Sequence, residues 1–184
     1  MKKLKFLGLA VLLLALLFAG CDGGDSGDSD TWNDITSSSQ LSGTWMGSIN
    51  DSGTFRQWYE AEGETWDSEV ENAAGNISVK QSIELGWVIN SGAGLFTETY
   101  KQTLTFSGGK INDIWADLKA TYLEWGGSSI NDSNHSVTWA GSHNESITET
   151  DFTDWVQISD NGKKLKFSIE TAFGVYKDFT MTKQ

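Results

Sequence analysis

Ile77-Ser78-Val79-Lys80-Gln81-Ser82-Ile83-Glu84-Leu85-Gly86-Trp87-Val88-Ile89 alternates with a period of two. Ile77, Val79, Ile83, Leu85, Trp87 and Ile89 share one parity, broken only by Gln81, while Ser78, Lys80, Ser82 and Glu84 occupy the other. Successive side chains of a strand point to opposite faces, so this run presents one apolar face and one wet face. Leu165, Phe167 and Ile169 repeat the pattern against Lys164, Lys166, Ser168 and Glu170, and Val175, Phe179 and Met181 extend it. Such half-buried strands belong to an antiparallel sheet with one face packed and one solvated.

Working outward, further strands are expected over residues 43–50, 54–60, 95–106, 110–124, 135–141 and 148–159. Turn chemistry separates them at residues 90–94, Ser107-Gly108-Gly109, Gly126-Gly127 and Asp160-Asn161-Gly162. Asn161-Gly162 between two alternating runs predicts a hairpin with a type I′ turn. Residues 60–74 are rich in glutamate and lack a clear apolar stripe, which leaves a turn or two of helix or an acidic loop. The segment 110–124 fits two periods. Ile111, Ile114, Trp115 and Leu118 have helical spacing, whereas Ile114, Ala116, Leu118, Ala120 and Tyr122 alternate, and it is read as a strand. Eight or nine antiparallel strands must hide their edges, which an up-and-down barrel does by closing and a two-sheet sandwich does in part. The absence of proline suits either.

The start of the chain has a different character. Lys2, Lys3 and Lys5 precede an apolar run from Phe6 to Ala19, the charged and apolar regions of an export signal. The run falls short of the ~20 apolar residues that a spanning helix needs. It ends in Leu17-Phe18-Ala19-Gly20-Cys21, which resembles the bacterial lipobox, with Phe18 where the common pattern has leucine. That resemblance implies cleavage before Cys21, a diacylglycerol on its thiol and acylation of the new amino terminus. Cys21 is the chain's one cysteine, so no disulfide forms within it. The expected organisation is a signal over 1–20, a lipidated Cys21 and flexible acidic tether over 21–40, and one β domain over 41–184. The tether's alternating aspartates lack the spacing and terminal glutamate of an EF-hand calcium loop. Asp22 resembles an inner-membrane retention mark of enteric bacteria, while other lineages follow other rules, so the leaflet stays open.

The formal charge of the chain is −12, and loss of the signal's three lysines makes the remainder more acidic still. Nucleic acid, which is bound by basic patches that displace counterions, is excluded as a partner. Anionic headgroups would repel such a body, so acyl chains must do the anchoring. The expected address is the bacterial cell envelope, with the membrane as partner through the lipid anchor and the domain a monomer.

Gly43-Thr44-Trp45, at the start of the β run, resembles the opening motif of the lipocalin or calycin barrels. The resemblance implies that Trp45 plugs the closed end of a barrel against a basic residue of a late strand, here Lys177 or Lys183. Thr153-Asp154-Trp155 loosely resembles that family's Thr-Asp-Tyr element, and residues 179–183 its closing strand. A lipocalin-like barrel would hold a small hydrophobic or amphipathic ligand at its mouth, lined by Trp87, Tyr100, Tyr122 and Trp139.

Catalytic chemistry finds little support. Neither His135 nor His143 accompanies a nucleophile elbow, and Gly141-Ser142-His143 lacks its second glycine. A zinc site would need His135, His143 and Glu145 to converge. The chain is therefore read as a non-enzyme with no metal and no cofactor. An alternative function uses outward tryptophans, with Trp58, Trp66, Trp125 and Trp155 as candidates, to bind a glycan or protein. A third is a purely structural envelope protein.

Overall fold

The computed structural model describes residues 30–124, 129–146, 152 and 155–184. The signal, Cys21, most of the tether, Trp125, Gly126-Gly127, Thr153 and Asp154 lie outside the described residues. The strands are β1 (Trp32–Asp34), β2 (Gly43–Thr54), β3 (Ile77–Asn90), β4 (Leu95–Gly108), β5 (Ser129–Asn131), β6 (Ser136–Ser146), β7 (Gln157–Ser159), β8 (Lys164–Glu170) and β9 (Tyr176–Lys183). Among the described residues three α-helices interrupt them: α1 (Phe55–Ala61), α2 (Ser68–Ala74) and α3 (Ile111–Glu124).

All nine strands form one antiparallel sheet in the order β1-β7-β8-β9-β2-β3-β4-β6-β5. The first long strand pairs with the last, Trp45 opposite Lys183 and Gly47 opposite Met181. Gly47 permits this approach, because a Cβ there would meet Thr180 O at 2.5 Å and the Phe179 ring at 2.6 Å. The expected closure is not found. Among the described residues β1 and β5 end the sheet as edges, so it is open rather than a barrel.

Two further expectations need correction. Residues 54–60 and 110–124, read as strands, are helical. At the first, Thr54 caps α1: its Oγ1 accepts from Gln57 N at 3.2 Å while Gln57 Oε1 accepts from Thr54 N at 2.8 Å. This reciprocal box satisfies two amides that a strand would leave to a neighbour. In α3, Ile111, Ile114, Trp115, Leu118 and Tyr122 are buried, whereas Ala116 and Ala120, which alternation placed inside, are exposed. The helical period wins because five large side chains then share one face against the sheet. Asp67 caps α2 by accepting from Glu69 N and Val70 N at 2.8 and 2.9 Å, which resolves the acidic 60–74 segment into a short helix.

The tether also ends earlier than expected. Trp32–Asp34 pairs with β7, Ile35 is buried, and Ser38–Leu41 form a 3-10 turn that buries Leu41. The Asn161-Gly162 hairpin joins β7 to β8. Only Gly162 takes a positive φ (66°), so the turn is not type I′. Asn161 instead uses its side chain, accepting from Lys163 N at 2.9 Å.

The apolar face of the sheet is buried in two clusters. At the end where residue 30 and the carboxyl terminus meet, Trp45, Leu85, Trp87, Ile89 and Phe96 pack against Leu165, Phe167, Phe179 and Met181. Trp87 and Phe167 stack at 4.9 Å and 9°. Their strands are separated by β9 and β2, which on a flat sheet would hold them about 14 Å apart. The sheet therefore curls until its inner face meets itself. At the other end Ile77, Val79, Leu104, Phe106 and Val137 are covered by Phe55 and Trp58 of α1, Val70 of α2, and α3.

Candidate functional site

Between the two clusters the inner face is not fully covered. Strand register places Ile49, Ile83, Gln102 and Trp139 side by side across β2, β3, β4 and β6, and all four are half-buried. The next row toward the termini carries Gly47, Leu85, Tyr100 and Gly141, and the one beyond it Trp45, Trp87, Glu98 and His143. Exposure rises across these rows toward β6, from buried Trp45 and Trp87 through half-buried Glu98 to exposed His143. The Tyr100 ring lies over Gly141, where an added Cβ would stand 2.7 Å from the tyrosine hydroxyl. The result is an apolar and aromatic stripe with an amide in its middle and a carboxylate at its rim.

Glu98 is the group with most to say electrostatically. Burial pushes its carboxyl above the ordinary range, the Trp87 N–H and His143 pull it back, and Glu145 adds repulsion. Trp87 Nε1 donates to Glu98 Oε2 at 2.9 Å, and His143 Nε2 lies 3.4 Å from Glu145 Oε2. On the opposite flank, Asp51, Gln81 and Lys177 form a polar bridge between the two cores. Lys177 Nζ donates to Asp51 Oδ1 at 2.6 Å, and Gln81 Oε1 accepts from Ala172 N at 2.9 Å. Burial pushes the Asp51 carboxyl up, but the Lys177 hydrogen bond, the Ser52 amide, the lysine's charge and Thr171 outweigh it and leave it below the usual range.

The four expected lining residues do not surround one cavity. Trp87 is part of the terminal core and Tyr100 packs against it. Tyr122 sits on α3 inside the helix-covered core, and Trp139 meets it edge-on at 5.1 Å. Only Tyr100 and Trp139 reach the half-buried stripe. Trp45 is fully buried, its Nε1 donating to Leu41 O at 2.6 Å, with Lys183 Nζ 5.0 Å above its ring. Lys177, the other candidate partner for Trp45, is engaged with Asp51 instead.

Of the tryptophans proposed as outward, Trp58 is buried, while Trp66 and Trp155 are half-buried against core residues. His143 lies on β6 and His135 just before it, separated by roughly 25 Å at the rise of a strand, so they cannot share an ion. No group of three or more metal-binding side chains converges among the described residues.

Sequence reading missed Glu98 and Gln102. Their signal was present, because Phe96, Glu98, Tyr100, Gln102, Leu104 and Phe106 form one parity of β4 in which two polar residues interrupt an apolar series. Ile49 and Ile83 could not be singled out, since their partial exposure depends on where the covering elements stop. Compared with family models, curated proteins and solved structures, the chain matches none.

Proposed function

We propose that this chain is a lipid-anchored protein of the bacterial cell envelope that binds a small hydrophobic or amphipathic molecule, without catalysis, on the inner face of its sheet. The half-buried row Ile49–Ile83–Gln102–Trp139, beside Tyr100 and Glu98, carries the reading. Apolar surface left partly in water between two packed cores gains by covering, at about 25 cal/mol per Å², and the amide and carboxylate supply orientation. Pairing of the first long strand with the last is the connectivity of an up-and-down barrel, so we read the domain as a lipocalin-like barrel left open along one seam. It acts as a monomer.

The anchor is Cys21. No helix among the described residues is long and apolar enough to cross a membrane, and attachment is assigned to acyl chains on the Cys21 thiol. A Cys21→Ala variant should move to the soluble fraction, and mass spectrometry should find a diacylglycerol adduct on the wild-type residue. An unmodified thiol would refute the anchor.

For the ligand, titration with fatty acids, alkyl amines and a lipophilic dye should blue-shift or quench tryptophan emission, and Trp139→Ala should remove the response. An unchanged spectrum across that panel would refute the binding reading.

A further inference from the structure

The outer face of the sheet carries a second concavity. A cleft of about 480 Å³ is lined by Asn50, Ser52, Lys80, Ser82, Thr103 and Thr105, with Asp51 and Gln81 behind them. Register makes the outward residues a grid: Ser52, Lys80 and Thr105 form one row across β2, β3 and β4, and Asn50, Ser82 and Thr103 the next. Ser82, Thr103 and Thr105 are half-buried and make the floor, whereas Asn50, Ser52 and Lys80 are exposed and make the rim.

Two features separate this grid from an ordinary solvated face. First, Lys80 has no carboxylate partner among the described residues. The nearby acids are spent elsewhere, Asp51 on Lys177 and Glu84 on Lys101 at 2.9 Å. Lys110, Lys119, Lys164, Lys166 and Lys183 are each tied to a carboxylate, a carbonyl or an aromatic ring. Lys163 likewise has no such partner among the described residues, but it does not line the cleft, so Lys80 is the uncompensated ammonium placed there. Second, the hydroxyls around it are uncommitted. Thr103 Oγ1 bonds Thr138 Oγ1 at 3.0 Å, but Asn50, Ser52, Ser82 and Thr105 spend no side-chain hydrogen bond on the described residues.

We propose that this cleft binds a small polyhydroxylated carboxylate, an acidic sugar, with Lys80 Nζ donating to the carboxylate and the Ser, Thr and Asn groups exchanging hydrogen bonds with the sugar hydroxyls. Hydroxyl and amide side chains both donate and accept, which matches a polyol and not a bare anion. A charge-assisted bond from the ammonium sets the preference for acid over neutral sugar. The volume lies within the ordinary range of small-molecule sites, roughly 300–1,000 Å³. The site is on the opposite face from the aromatic stripe and is independent of it.

The test uses the full-length protein in detergent micelles, titrated with glucuronate, glucose and acetate and followed by calorimetry. Glucuronate should bind; glucose should bind about tenfold or more weakly for want of the charge-assisted bond, and acetate about tenfold or more weakly for want of the hydroxyls. Lys80→Gln should reduce glucuronate to the level of glucose, and Thr105→Val should weaken both sugars. Lys80 is exposed, so the variant reports on binding. Absence of glucuronate binding, acetate binding as tightly as glucuronate, or a Lys80→Gln variant that binds glucuronate unchanged would each overturn the proposal.

Discussion

The same strand builds both cores, yet the two halves of the molecule solve burial differently. Leu85, Trp87 and Ile89 of β3 are covered by other strands of their own curled sheet, whereas Ile77 and Val79 are covered by helices. The sheet-covered half satisfies its indoles: Trp45 Nε1 reaches Leu41 O and Trp87 Nε1 reaches Glu98. In the helix-covered half, Trp58 Nε1 and Glu62 Oε2 are buried without a completed hydrogen bond among the described residues, although the indole N–H faces the carboxyl. Burial pushes the Glu62 carboxyl up to about 7 against the pull of Trp58, with Glu64 adding repulsion. The helical half therefore holds the carboxyl whose titration should move stability closest to neutral pH.

The largest expected effect lies in the sheet-covered half. Trp87→Ala removes the stacking on Phe167 and strands Glu98, and should cost about 3–5 kcal/mol in urea unfolding. A loss below about 1 kcal/mol would mean that the curl of the sheet does not depend on this contact.

Next comes Glu62. Its folded value lies above the unfolded one, so the folded state holds the proton longer. The resulting stability is complete below the unfolded value, is lost as pH rises, and is gone above about 7. The total change should approach about 3 kcal/mol. Glu62→Gln should flatten this slope, and amide protection factors in α1 should fall with rising pH in the wild type more than those around Trp45. A slope that survives the substitution would break the contrast between the halves.

A smaller effect should come from the bridge that joins them. Asp51→Asn should cost about 1.5–3 kcal/mol, since it weakens a partly buried charge-assisted bond to Lys177. Because the folded Asp51 value is depressed, its contribution is present above the unfolded value and fades as pH falls through the folded one, opposite in sense to Glu62. The smallest is Thr54→Ala, which removes the α1 cap and should cost about 1 kcal/mol, measurable as a lower Tm with the terminal core unperturbed.

The alternation of β3, β4, β8 and β9 was readable because a period of two needs no information beyond the strand itself. The two helices misread as strands show where that ends. Residues 110–124 satisfied both periods, and only the presence of a sheet face awaiting a cover selects the helical one. The Thr54–Gln57 capping box was readable in principle, but Trp58, Tyr59 and the preceding strand masked it. The stripe of the candidate site was half legible: Tyr100 and Trp139 were chosen from the sequence and reach it, while Trp87 and Tyr122 were absorbed into separate cores.

By itself the sequence determined an antiparallel β protein with one apolar face, an acidic body, and the lipobox-like run at its start. Tertiary structure alone decided that the sheet curls without closing, that helices cover one half, and that a row of residues between the cores stays half-wet. Alternation is local and fixes only which face a side chain takes. What lies over that face depends on residues distant in the chain, and exposure follows from that.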